Sequence, residues 1–402
     1  MGKKKEFDKQ TEFHRLHEWL DAVGGHISLG QSKLISIETS ESGNKLSILL
    51  KKNKPIEKPT AIPRANEPPL IAPDDGPWEL DGGFKFKKND DKTRRSMSGI
   101  ACLPNSSGPR LCLAVFDEGG EARYLTLTDN GYSTDNEKVV LLPGNGELDA
   151  EGAATDGRYF YVTGSHSAKR EDGAANPDSR HVIRLRVPLA NVRKGLQASP
   201  DGKTTDFADT NALWKILKRV PGLKEYVGDP VCKKGSETRL GKGSVNIEGL
   251  AVKNGRLFFG LRSPAVGGAA KILSVDADQL FSGGDADPKI CTLMLGSGQA
   301  VRDLEAVSDG ILILAGPDEA ETSKNAGWAV ARWDGQNAAA GVGRAKILAR
   351  LNLQTVKMRR CDKKIKPEAL AVIEDTPGAP YKAVIFSDGM CDGGPVVFTV
   401  PR

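Results

Sequence analysis

Aromatic residues make up only 6% of the 402-residue chain, too few for the stacking platforms on which single-stranded nucleic acid binds. Charge of one sign is also scarce. The 57 basic and 52 acidic residues are mixed along the chain and leave a formal net charge of +5, so no clustered basic face marks it as a nucleic-acid binder. No apolar run reaches the roughly 18 residues of a membrane-spanning helix. None of the six cysteines forms a Cys-x-x-Cys pair, which argues against a structural zinc site. The start, Met1-Gly2-Lys3-Lys4-Lys5-Glu6, has no apolar secretory core and no Ser or Thr at position 6 for myristoylation. As written, the sequence predicts a cytoplasmic protein, with export the alternative if the start codon is misassigned. Also missing are the Gly-x-Ser-x-Gly elbow, His-Glu-x-x-His and the phosphate-cradling Gly-x-x-x-x-Gly-Lys loop. A ready-made hydrolase or nucleotide site is therefore not in view.

What the chain does have is a recurring phrase ahead of a β-rich run. Asp149-Ala150-Glu151-Gly152-Ala153-Ala154 returns as Asn246-Ile247-Glu248-Gly249-Leu250-Ala251, as Asp303-Leu304-Glu305-Ala306-Val307-Ser308 and as Lys366-Pro367-Glu368-Ala369-Leu370-Ala371. A fifth copy, Met97-Ser98-Gly99-Ile100-Ala101-Cys102, carries Ser98 in place of Glu. After most copies a turn such as Asp156-Gly157 or Asn254-Gly255 leads into a second apolar run, the strongest short-range hairpin signal. Serial units of three or four antiparallel strands read as an all-β protein, a β-propeller. The expectation is five blades, alternatively six.

The spacing of the copies is uneven, widest between Glu151 and Glu248. Residues 190–245 show little strand alternation, and Thr210–Tyr226 has helical apolar spacing, which predicts a partly helical insertion there. The last unit lacks an outer strand, and the alternating segment Trp78–Phe86 is the predicted source of one, closing the ring over residues 78–402. Residues 1–53 read as a small α+β appendage, a helix over Phe7–Val23 and a hairpin from Leu34–Glu38 and Leu46–Leu50. Residues 54–77 read as a Pro-rich linker.

Several phrases in order, Ser98-Gly99-Ile100-Ala101-Cys102, Phe116-Asp117-Glu118-Gly119, Asp149-Ala150-Glu151-Gly152, Val162-Thr163-Gly164-Ser165-His166, Arg302-Asp303-Leu304 and Ser387-Asp388-Gly389, resemble the bacterial family known as domain of unknown function 3616. The resemblance covers about residues 78–402. It implies a propeller-like fold and no established activity. Similar Glu-Gly-Leu-Ala phrases occur in phytase-like and gluconolactonase-like propellers that bind calcium, an analogy of fold alone.

Propeller topology turns a shared position in successive inner strands into a ring. Glu151, Glu248, Glu305 and Glu368 are thus expected at one channel end, as candidate ligands for a divalent cation such as calcium. The tails of the second strands should meet them there. They supply His166 and Asp117 as candidate proton-handling residues, with Glu118, Arg123, Arg262, Arg302, Lys366 and Asp388 as candidate ligand-binding residues. Clustered carboxylates repel and raise one another's pKa unless cations answer them, and Arg262, Arg302, Arg123 and Lys366 are the chain's own counter-ions. The plainer reading is that each Glu pairs with an Arg and holds blades together. A small-molecule or protein partner at the polar rim is the expected function, and a divalent-metal-dependent hydrolase of phosphate or carboxylic esters the alternative. Cys102 and Cys112, and Cys361 and Cys391, fall close enough to pair. Buried thiols are expected in a cytoplasmic protein, whereas disulfides would indicate export.

Overall fold

The structure, a computed structural model, describes residues 32–39, 46–52, 67–87, 90–104, 108–142, 146–169, 173–187, 206–227, 244–266, 268–319, 326–336 and 341–402. The chain divides into two units at Glu67 and Pro68. In the first unit Ser32–Thr39 and Leu46–Lys52 pair as an antiparallel hairpin, as their alternation predicts. The helix expected over Phe7–Val23 lies outside the described residues, as does most of the Pro-rich segment.

The second unit is a propeller of five β-sheets. Their innermost strands are Met97–Cys102, Ala150–Thr155, Asn246–Lys253, Gln299–Val307 and Lys366–Glu374. Each turns back through a tight connection into a second strand, then a third. Adjacent sheets pack face to face through apolar side chains, such as Leu250, Phe259 and Leu273 against Tyr161 and Val182. At such burial each large side chain contributes roughly 1.5–3 kcal/mol.

Crowding around the axis explains the small residue in the recurring phrase. A Cβ on Gly99 would lie 3.0 Å from the backbone of Gly152, one on Gly152 2.9 Å from Leu250 N, and one on Gly249 2.9 Å from the carbonyl carbon of Asp303. Neighbouring inner strands pass that closely. In the fourth blade Asp303 fills the equivalent place and is fully buried. Its carboxylate accepts the backbone N–H of Leu304 at 2.8 Å and of Leu370 in the fifth blade at 2.6 Å, so it ties two blades together.

Two expectations need correction. Residues 190–245 hold more than an insertion, because Ala208–Thr210 pairs with Val182–Arg186 as the outer strand of the second blade. The helical spacing that follows does form a helix, Ala212–Leu217. Closure differs as well. Trp78–Phe86 is not a strand, because Gly82 and Gly83 take left-handed conformations (φ 69° and 61°) and turn the chain. Trp78, Leu80 and Phe84 instead pack between the first and last blades with Met97, Phe116 and Phe386. The last blade's edge is met just upstream. Asp74 N–H donates to Val397 O at 2.8 Å, Val397 N–H to Asp75 O at 2.9 Å, and Trp78 N–H to Pro395 O at 3.0 Å. Leu70–Ile71 adds in parallel to Ala345–Leu351 of the fourth blade.

Candidate functional site

Every inner strand carries a β-bulge near its start. Gly152 pairs with Thr163 and Ala150 with Gly164, which leaves Glu151 out of the ladder. Register shifts leave out Ser98, Glu248 and Glu368 in the same way. A bulge re-aims one side chain and is a common device beside functional sites. In the fourth blade the skipped residue is Arg302, between Val301 and Asp303. The ring is therefore Ser98, Glu151, Glu248, Arg302 and Glu368. Glu305 lies three residues further along its strand, and it lines a cavity at the far ends of the inner strands with Thr155, Val252 and Glu374. The four-Glu ring does not form at one end. Matching the fourth copy on its Glu is what misleads, because that strand has nine residues against six in the second blade. Matching Arg302-Asp303-Leu304 to Glu248-Gly249-Leu250 would have found the register.

Arg302 is the hub of this end. Its guanidinium, 1% exposed, lies 2.9 Å from Glu248 Oε2 and also pairs with Glu368 Oε1. Glu248 Oε1 accepts from Arg262 Nη1 at 2.9 Å and from Asn246 Nδ2 at 3.0 Å. Lys366 Nζ lies 2.5 Å from Glu368 and 3.1 Å from Asp388, and Lys364 lies 2.8 Å from Asp388. Burial works to raise the Asp388 pKa, yet Lys366 and Lys364 outweigh it and hold the carboxyl below its ordinary value. Burial and the Arg302 charge bring Lys366 down to about 8. Two of the three ring glutamates thus have cations of the protein's own.

The third does not. Glu151 is buried and makes no ion pair or side-chain hydrogen bond among the described residues. Burial first, then the charges of Glu248, Asp149 and Asp117, push its pKa well above the ordinary carboxyl value. Asp117 follows directly on the second strand of the first blade, Arg110–Phe116. Its Oδ1 is buried without a hydrogen-bond partner, and burial with the charge of Asp388 lifts its pKa to about 7. Two under-answered carboxyl groups therefore sit beside a cationic cluster.

His166 is fully buried with φ 55°. Its Nδ1 contacts Gly164 O at 3.0 Å while Nε2 has no partner, and burial brings its pKa down to about 4. Its ring lies 6.5 Å from Trp214, and neither Asp117 nor Glu151 contributes to its titration. Glu118 pairs with Lys92 on the rim. Arg123 is elsewhere: it is held by Glu121 at 2.9 Å and Lys85 O at 2.8 Å, with its guanidinium 4.4 Å from the Phe86 ring centre. Sequence reasoning missed Asn246, which also donates to Glu319 at 2.9 Å, and Lys364.

The carboxylates do not converge as a ready cation cage. Among the described residues, the group that brings three ligand atoms within 4.8 Å is Cys361, Asp362 and Cys391. Cys102–Cys112 and Cys361–Cys391 are disulfides, against the expectation of buried thiols, which holds for Cys291. No helix among the described residues is long and apolar enough to cross a membrane.

A family model described as protein of unknown function (DUF3616) matches residues 117–194 and 179–391. No curated protein matches the chain. Among solved structures, a glycosyl hydrolase from Bacteroides ovatus is similar at 14% identity and TM-score 0.38, over 76% of this chain and 84% of that one. An α-L-arabinanase variant from Cellvibrio cellulosa is similar at 8% identity and TM-score 0.37, over 75% and 90%. TolB from Acinetobacter baumannii is similar at 14% identity and TM-score 0.30, and the match covers 76% of this chain but about half, 54%, of TolB.

Proposed function

The chain belongs to the family of proteins of unknown function (DUF3616), and on that footing we propose that it binds a small polar ligand at the bulged end of its channel. The observation that carries this reading is the contrast within one ring. Glu248 and Glu368 are neutralised by Arg302, Arg262 and Lys366, while Glu151 is buried, the neighbouring Asp117 is half-buried with its Oδ1 shielded from solvent, and neither makes an ion pair among the described residues. An unanswered buried carboxyl costs several kcal/mol, a cost expected where a ligand supplies the missing donors. Hydroxyl or ammonium groups would serve Asp117 and Glu151, and the Arg262–Arg302–Lys366 side would take a ligand's acceptors. Burial of Glu151 and of Asp117 Oδ1 favours a small molecule over a protein surface.

A divalent cation is the second reading, favoured by the acid-rich surroundings of Asp117, where Asp388, Asp149 and Glu118 all raise its pKa. Calcium would sit between Asp117 and Glu151, and a metal-dependent hydrolase would follow from it. Melting of the purified protein in calcium chloride, in chelator, and with a panel of polyols, sugars and amines distinguishes the two, because only compounds that bind the folded state raise the melting temperature. Stabilisation should vanish in Asp117→Asn and Glu151→Gln and persist in Asp129→Asn, a change at an exposed position. Stabilisation that survives both site changes would overturn the assignment. The paired cysteines support an oxidising compartment rather than the cytoplasm; alkylation of the denatured, unreduced protein should then leave Cys102, Cys112, Cys361 and Cys391 unmodified.

A further inference from the structure

The far ends of the five inner strands enclose a cavity of about 510 Å³, within the size range of small-molecule sites. It is separate from the bulged end, because its lining comes from the closing residues of each inner strand, among them Thr155, Val252, Val307 and Glu374. Its walls are more polar than apolar, with Thr155, Glu305 and Glu374 as well as the aliphatic side chains of Ala251, Val252 and Val372. The charged groups at its edge are nearly all answered. Glu374 lies 3.3 Å from Lys382, and Asp375 pairs with Arg402 and accepts from Ser308 Oγ at 2.8 Å. Arg110 holds Asp129 at 3.1 Å and Ile373 O at 2.6 Å.

Glu305 is the exception. It lines the cavity and makes no ion pair among the described residues; the backbone N–H of Val372 is the donor that reaches its carboxyl, and the nearest charge that acts on it is another carboxylate, Asp375. Acceptor capacity is left over on this carboxyl, in a cavity that also carries the aliphatic side chains of Ala251, Val252 and Val372. An anion would meet Asp375, and the cations at this mouth are engaged, Arg110 by Asp129, Arg402 by Asp375 and Lys253 by Val307 O. A cation carrying an apolar body meets none of these costs. We propose that this far mouth is a second binding site, independent of the first, which takes a small organic ammonium compound with its nitrogen on Glu305 and its apolar part against Ala251, Val252 and Val372. Burial brings the Glu305 pKa to about 8, so at neutral pH an arriving ammonium expels the carboxyl proton to solvent as the pair forms.

The probe is cyclohexylammonium, with cyclohexanol as its uncharged counterpart of similar shape, titrated calorimetrically into the full chain at neutral pH. Cyclohexylammonium should bind saturably and at least about tenfold more tightly than the alcohol, the ratio expected for one charged hydrogen bond. Glu305→Gln should lose that advantage while its amide oxygen still accepts from Val372, and Ala306→Phe should block both probes by filling the cavity. Glu151→Gln removes any amine held at the opposite mouth and should leave the Glu305-dependent component unchanged, so failure of one site is separable from failure of the other. Should Glu305→Gln not fold, Ala306→Phe carries the test alone. Equal binding of amine and alcohol, undiminished binding in folded Glu305→Gln or Ala306→Phe, no binding to the parent protein, or loss of the Glu305-dependent component with Glu151→Gln would each overturn the proposal.

Discussion

Among single residues, Arg302 and Glu151 occupy equivalent bulges and play opposite parts. Arg302 stands between two buried glutamates, so removing it strands both. Arg302→Met should cost about 3–5 kcal/mol, the usual penalty for breaking a buried pair by deleting one partner. Arg302→Lys should not restore it, since an ammonium cannot present the guanidinium's fork. Urea unfolding of both variants checks this, and a loss below about 1 kcal/mol would remove Arg302 from its role as the hub. The titrating groups make a paired prediction. His166 titrates at about 4 when folded against an ordinary 6.5, so the unfolded chain holds the extra proton between those values and stability falls as pH drops through them. Asp117 does the reverse. Its folded value of about 7 lies above the ordinary 3.8, so the folded chain holds the proton and stability falls as pH rises from about 4 to 7. His166→Gln should flatten the acid-side loss, by roughly 3 kcal/mol at full effect, and Asp117→Asn the opposite slope. Unfolding midpoints across pH 4–8 that match the parent's in both variants would show that neither group is perturbed.

The elements were legible to different degrees. Strand pairs announced by Asp156-Gly157, Asn254-Gly255 and Asp309-Gly310 form as read, because such turns specify a hairpin locally. The bulge was hidden, since a register shift leaves no compositional mark of its own and shows only once strands are paired. That is why Ser98, Glu151, Glu248 and Glu368 could be placed in one ring from the sequence while Glu305 was put there in error in place of Arg302. The closing segment failed for a similar reason. Trp78–Phe86 alternates as a strand does, but Gly82 and Gly83 turn it, and the edge of the last blade is capped by Asp74–Trp78 through three backbone hydrogen bonds. Removal of residues 1–67 should therefore leave the propeller's cooperative unfolding intact, whereas removal of 1–78 exposes the edges of the fourth and fifth blades and should lower stability sharply or give aggregates. A stable, monodisperse product of the longer deletion would contradict this closure.

The second unit is a ring of five sheets with two unlike mouths. One is a network of ion pairs in which two carboxyls are left without a cation of the protein's own; the other is a mixed cavity with the carboxyl of Glu305 in its wall. Folding alone would not select a buried acid without a cation; on the proposed function, Glu151 serves binding at the expense of stability. Its raised pKa makes the direction testable. Above the ordinary carboxyl range the folded chain must either keep Glu151 protonated or bury its charge, and both lower stability relative to an amide. Urea unfolding of Glu151→Gln beside the parent protein at pH 8 and pH 4.5 measures this most directly. A binding role for Glu151 requires a higher midpoint for the variant at pH 8 and a gain that fades towards pH 4.5; a midpoint unchanged or lowered at pH 8 would make Glu151 one more blade-joining residue and contradict that role.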